Sequence, residues 1–180
     1  MKVILASGSP RRAELLTMLG LPFEIRASAA EGKPEPGESP EVTVMKLAKQ
    51  KAEGAEGELV LSADTIVYLD GKILGKPRTE EEAFSMLRML SGRTHRVYTG
   101  LCVNGICEYE VSEVTFASLT DEEIRAYIAT GEPMDKAGAY GAQGKGAVFI
   151  EKINGDFFNV MGLPVHRLYG MLRKQGVHII

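Results

Sequence analysis

Tryptophan is missing and cysteine and histidine are scarce: the 180 residues hold no Trp, two Cys and three His. Two cysteines exclude a disulfide-rich scaffold and a four-cysteine zinc site. His95, His166 and His178 have no zinc-type spacing with one another or with the cysteines. No apolar run is long enough to cross a bilayer, so no membrane partner is expected. Positive charge is not in excess either, since 21 Lys+Arg face 24 Asp+Glu for a formal net charge of -3. A broad nucleic-acid footprint needs a basic balance, and none is expected here. The opening MKVILASGSPRR is not shaped like a signal peptide, because its short apolar run feeds a Ser/Gly turn and a double arginine. A cytoplasmic protein is the expectation.

What is present is globular in proportion, 44% hydrophobic and 25% charged. The length suits one domain over 1–180, or two small lobes sharing a core. Val3 to Ala6 reads as a buried strand, broken by Ser7-Gly8-Ser9. Ser9 then suits an N-cap and Pro10 the first position of a helix that turns Leu15, Leu16, Met18 and Leu19 inward and stops at Gly20. Residues 27–40 read as a long loop, rich in Pro and Gly. Ser39-Pro40 opens a helix to about Gly54. A strand follows over Glu58 to Leu69, with a return strand at Lys72 to Leu74 after Asp70-Gly71.

Thr79 with Glu82, and Thr120 with Glu123, have the spacing of capping boxes and open two further helices. Strands are expected around 95–103, 106–118 and 147–153. Asn154-Gly155 turns into another extended piece, and a last helix begins near Leu163-Pro164. Cys102 and Cys107 flank Asn104-Gly105, a type I′ hairpin signal that sets them opposite each other. Free thiols are the expectation in a reducing compartment. The mixed order of strands and helices gives an α/β (mixed α+β) domain with a largely mixed sheet.

Chemistry concentrates at a few awkward residues. Arg11 and Arg12 stand in the first turn of a helix, the positive end of its dipole. They are either a solvated pair or, with Ser7, Ser9 and the backbone N–H groups, a cradle for phosphate. Lys51 continues the apolar stripe of Val44, Leu47 and Ala48, so its stem snorkels or its ammonium meets a carboxylate or phosphate. Asp64 lies inside an interior strand, where an acid is costly alone. Metal ligation, general-base work and a structural ion pair all remain open there. Gly75-Lys76-Pro77 suits a phosphate contact or a plain turn. The small-residue run Asp135 to Gly144 lets backbone approach a ligand, yet it is neither a Walker A loop nor a dinucleotide fingerprint.

Taken in order, these pieces resemble the Maf family of nucleoside triphosphate pyrophosphatases. The collinear motifs are Ser7-Gly8-Ser9-Pro10-Arg11-Arg12, Leu47-Ala48 with Lys51-Ala52, Ala63-Asp64-Thr65, Gly75-Lys76-Pro77, Leu90-Ser91-Gly92 with His95, Asp135 to Gly141, and Asn159-Val160 with Gly162-Leu163-Pro164. The resemblance implies an elongated, two-lobed fold of the inosine triphosphatase type with a central mixed sheet, a cleft site and a homodimer. It implies hydrolysis of a nucleoside triphosphate to monophosphate and pyrophosphate with Mg²⁺ or Mn²⁺. It makes Asp64 the general base, ties Arg11, Thr65 and Gln143 to base selection in a dTTP/UTP-hydrolysing branch, and makes Glu31 the match of the loop acid.

On that basis Glu31 and Asp64 would hold the metal. Lys51 and Lys76 would stabilise charge on the leaving pyrophosphate. Ser7, Ser9, Arg11 and Arg12 would bind the substrate. The competing expectation is a non-catalytic nucleotide-binding regulator of cell division and septum formation.

Overall fold

A computed structural model describes residues 1–28 and 32–180. The expected loop acid, Glu31, lies outside the described residues. Contacts divide the chain into two compact units: Met1–Thr65 with Thr99–Glu110 and Phe158–Ile180, and Ile66–Tyr98 with Val111–Phe157. The strands are β1 (Val3–Leu5), β2 (Phe23–Ile25), β3 (Leu59–Leu69), β4 (Lys72–Leu74), β5 (Thr94–Val103), β6 (Ile106–Phe116) and β7 (Ile150–Asn154). Their order is β2-β1-β3-β5-β6-β7, with β4 paired to β3. β1 runs parallel to β2 and β3, whereas β3–β4 and β6–β7 are antiparallel, so the sheet is mixed as expected.

In the first unit β1 is buried at all three of its positions. Val3, Leu5, Leu59, Leu61, Leu101 and Val103 supply the sheet side of the unit's core. Leu15 and Leu16 of α1 (Pro10–Met18) and Leu168, Met171 and Leu172 of α6 (Val165–Lys174) cover it. Continuous apolar runs are what a strand covered by helices requires. Met18 is not part of this core and stands 57% exposed. At about 100° per residue it falls outside the arc of Leu15, Leu16 and Leu19. The helix α2 (Pro40–Lys51) packs directly on β5: a Cβ at Gly100 would lie 2.2 Å from the Val44 carbonyl oxygen, so only glycine admits this approach.

The hairpin turn forms as its sequence demands, with Asn104 at φ 47 and Gly105 at φ 80. The expected free thiols are not found. Cys102 and Cys107 are joined as a disulfide, with Cα atoms 4.1 Å apart. The two-residue turn sets the side chains so close that geometry prevails over the argument from compartment.

The second unit holds α3 (Glu80–Leu90) and α4 (Asp121–Ala129), which pack together. The Thr120–Glu123 capping box is complete. At α3 only half the box forms: Thr79 accepts from the Glu82 N–H, but the Glu82 carboxylate accepts from the N–H of Arg78, one residue earlier. An edge-to-face cluster of His95, Phe116 and Tyr140 continues to Phe149 and Tyr127. Two further expectations give way. Residues 145–149 coil into a 3-10 turn before β7 begins, and residues 157–161 form a helix, α5 (Phe157–Met161), rather than an extended piece. Short apolar runs do not distinguish helix from strand by periodicity.

Candidate active site

The turn after β1 and the first turn of α1 organise around Arg12. Arg12 is buried, and three of its N–H groups meet protein acceptors: Nε donates to the Gly162 carbonyl at 2.7 Å, Nη1 to Ser7 Oγ at 2.9 Å and Nη2 to Thr65 Oγ1 at 3.1 Å. A planar fork with five donors can do this and still keep two N–H groups for an anion. Burial draws its pKa down to about 10, the Asp64 charge draws it back up, and Arg11 lowers it further. Arg12 therefore stays cationic at neutral pH.

Gly162 is the required partner of this fork. It adopts φ 114, a left-handed value, and a Cβ there would stand 3.5 Å from Thr65 Oγ1 and 3.6 Å from Arg12 Nε. Its N–H donates back to the carbonyl oxygens of Phe158 and Asn159, closing the C-terminal end of α5.

Ser7 Oγ accepts from Arg12 and also from the Ser9 N–H at 3.3 Å. With both lone pairs engaged, its hydroxyl has only a proton to offer, which suits a phosphate oxygen. Ser9 is the N-cap of α1, and its side chain makes no capping bond. Arg11 is half-buried, with no side-chain hydrogen bond or ion pair among the described residues.

The structure brings Lys51 and Asp64 together, one of the pairings the sequence left open. Lys51, the last residue of α2, donates from Nζ to Asp64 Oδ1 at 2.5 Å. The lysine side chain keeps 25% of its exposure and the aspartate 13%, so the pair is shielded yet still reachable from solvent. A cation in the last turn of a helix also complements its dipole. Ser7, Arg12, Lys51, Asp64 and Thr65 thus stand in one unit, around the ends of β1 and α2 and the middle of β3.

Lys76 and Gln143 belong to the second unit and are exposed. There the structure joins two sequence motifs: the Gly138 N–H donates to the Gly75 carbonyl at 3.1 Å. Sequence reasoning missed the group that organises the glycine-rich run, Glu132. Its Oε1 accepts from the Lys145 N–H at 2.8 Å and its Oε2 from the Gly146 N–H at 3.0 Å and from the Tyr127 hydroxyl. Tyr127 in turn accepts from the Gly141 N–H at 3.1 Å. Burial pushes the Glu132 pKa up, but these donors outweigh it and hold the carboxyl below its usual range. A Cβ at Gly144 would fall 2.0 Å from Glu132 Oε1, so the acid explains that glycine. The one signal in the sequence was an acid between Gly131 and Pro133, which reads as an ordinary turn.

No group of three or more His, Cys, Asp or Glu side chains that could hold a metal ion occurs among the described residues. Mg²⁺ is commonly held by one or two carboxylates together with substrate phosphates. Asp64, whose Oδ1 accepts from Lys51, supplies one carboxylate of that kind.

A family model described as Maf-like protein matches residues 2–175. A dTTP/UTP pyrophosphatase from Bacillus cereus is 50% identical over 186 residues, covering 99% of this chain and 97% of its own length. A dTTP/UTP pyrophosphatase from Bacillus mycoides is 51% identical over 181 residues, covering 96% and 95%. Among solved structures, a HAM1 protein from Coxiella burnetii superposes with a TM-score of 0.51 at 15% identity, over 97% of this chain and 99% of that one. That likeness bears out the expected fold class and nothing more specific. With a match over nearly its whole length and relatives identical at half their positions, the chain belongs to the Maf-like family.

Proposed function

We propose that this protein is a nucleoside triphosphate pyrophosphatase that hydrolyses dTTP and UTP to the monophosphate and pyrophosphate. The observation that carries the reading is the Lys51–Asp64 pair on α2 and β3, in the same unit as a buried arginine fork and a serine with only a proton to give. The full-length relatives named for this activity supply the substrate.

The side chains can perform such a reaction without a covalent nucleophile, because phosphoryl chemistry asks mostly for positioning and charge stabilisation. Asp64 accepts the proton of the attacking water. Lys51 has three N–H donors and gives one to Asp64, so two remain for phosphate oxygens. Ser7 donates its hydroxyl proton, and Arg12 offers its two remaining N–H groups. A divalent cation, held by Asp64 together with Glu31 and the phosphates, would neutralise charge that grows on the leaving pyrophosphate.

A regulator that only binds nucleotide has no need of an acid on an interior strand paired with a lysine, so hydrolysis is the better account. The test is purified protein with dTTP or UTP, with and without Mg²⁺ or Mn²⁺. Pyrophosphate and the monophosphate are the expected products, and chelation should abolish turnover. Orthophosphate as the first product, or no turnover with metal present, would overturn the proposal. The same reading includes a cytoplasmic homodimer. No helix among the described residues is long and apolar enough to cross a membrane, and sedimentation would measure the oligomeric state.

A further inference from the structure

Successive residues of β3 point to opposite faces. Leu59, Leu61 and Ala63 join the core cluster with residues of α1 and α6. Ser62 and Asp64 share the other face, and both meet α2. Asp64 takes Lys51, and Ser62 Oγ donates to the Ala48 carbonyl oxygen at 2.6 Å. Ser62 is fully buried and carries no role in the mechanism above. A buried hydroxyl costs free energy unless it is paired, so this bond is what makes the serine tolerable there.

The Ala48 carbonyl needs that donor. In a regular helix it would accept from the N–H four residues on, that of Ala52. The end of α2 tightens instead: the Ala52 N–H goes to the Lys49 carbonyl and the Glu53 N–H to the Gln50 carbonyl, each at 3.1 Å. The Ser62 hydroxyl thus stands where the helix's own donor has turned away. Ala48 lies about one helical turn before Lys51, and Ser62 is next but one to Asp64 on the strand. The bond is a second tether between the two elements that carry the ion pair. We infer that Ser62 is a positioning residue: by holding the Ala48 carbonyl it fixes the end of α2 against β3 and so sets Lys51 on Asp64. The inference rests on the proposed pyrophosphatase activity for its effect on turnover, and on the structure alone for its effect on the pair.

The test is Ser62→Ala, which removes the hydroxyl and little volume. One readout is steady-state turnover of dTTP. Small displacements of a reacting group are costly, so kcat should fall about tenfold, with KM changed less because Ser62 does not reach the substrate. The other readout needs no activity. Lys51 is acylated with an amine-reactive ester and followed by peptide mass spectrometry, with the exposed Lys72 as reference. A side chain docked on a carboxylate is a poor target for such a reagent. Loss of the tether should speed the labelling of Lys51 about threefold or more, as the loss of one hydrogen bond allows.

Ser112 supplies the control. It too is buried with its hydroxyl on a main-chain carbonyl, that of Asp156 at 3.0 Å, but it belongs to the second unit. Ser112→Ala should lower stability and leave kcat and Lys51 labelling at their wild-type values. A Ser62→Ala protein with a lower melting temperature but wild-type kcat or wild-type Lys51 labelling would make Ser62 merely structural and overturn the inference. Equal changes in Ser112→Ala would overturn it as well. Should Ser62→Ala not fold, Ser62→Cys takes its place, because a thiol is a weaker donor. Failure of the wild type to hydrolyse dTTP or UTP at all would instead remove the pyrophosphatase reading, and the labelling of Lys51 would still decide whether Ser62 sets the pair.

Discussion

The Lys51 ammonium stands 2.5 Å from Asp64 Oδ1, across 13 residues of sequence and from a different element. The two residues that fit their local patterns worst, a lysine on an apolar helix stripe and an acid in a buried strand, each account for the other. Neither is anomalous once the partner is in place, because a shielded charge needs a counter-charge.

Asp64→Asn follows directly from that pair. Asparagine keeps the shape and a hydrogen-bond acceptor for Lys51 but cannot take a proton. Turnover of dTTP should fall by about 10²-fold or more. Steady-state pyrophosphate release measures it, and turnover near the wild-type rate would remove Asp64 as the base.

Glu132→Ala addresses the glycine-rich run. The change leaves the N–H groups of Lys145 and Gly146 and the Tyr127 hydroxyl without their acceptor. Each orphaned group costs roughly 1–3 kcal/mol if it stays dry, so the segment should open instead. Amide hydrogen exchange at Gly141, Lys145 and Gly146 should speed up while α1 and β3 stay protected. Unchanged exchange there would show that the carboxylate does not hold the loop.

His95 gives the protein an acid-side weakness. The ring is buried, Nε2 meets the Tyr140 hydroxyl at 2.6 Å, and Nδ1 has no hydrogen-bond partner among the described residues. Burial lowers its pKa from 6.5 to about 4. Between those values the unfolded chain takes up a proton that the folded protein refuses, so stability rises with pH across the window. This contribution is fully present above about 6.5 and is lost as pH falls toward about 4. It amounts to roughly 3 kcal/mol over the full span. Denaturant titrations at a series of pH values should show the slope in the wild type and a smaller one in His95→Phe. Parallel profiles would contradict it.

Reduction of the Cys102–Cys107 bond should change stability little. The bond spans five residues of a hairpin that the Asn104-Gly105 turn already closes, so little chain entropy is left for it to remove. The melting temperature with and without a dithiol should differ by only a few degrees, about 1 kcal/mol or less. A large drop would make the bond a structural requirement.

Much of this protein was legible from local pattern. Pro10 and Pro40 marked helix starts, Thr120 with Glu123 closed its capping box, and Asn104-Gly105 set a type I′ turn, because those rules act within a few residues. The residue types for the chemistry were also visible, since a lysine or acid in an apolar pattern stands out wherever its partner lies. Local rules failed where two local answers compete, as at 157–161, and where a neighbouring group takes over a capping bond, as when Arg78 captures Glu82.

Pairing was beyond the linear text. That Asp64 takes Lys51, that Arg12 reaches the main chain of Gly162 150 residues away, that Glu132 collects the N–H groups of a later loop, and that Ser62 takes the Ala48 carbonyl are all results of packing. Periodicity and capping depend on neighbours along the chain, whereas the sharing of a proton or a charge depends on which buried groups end up within about 3 Å of one another, and only the assembled core decides that.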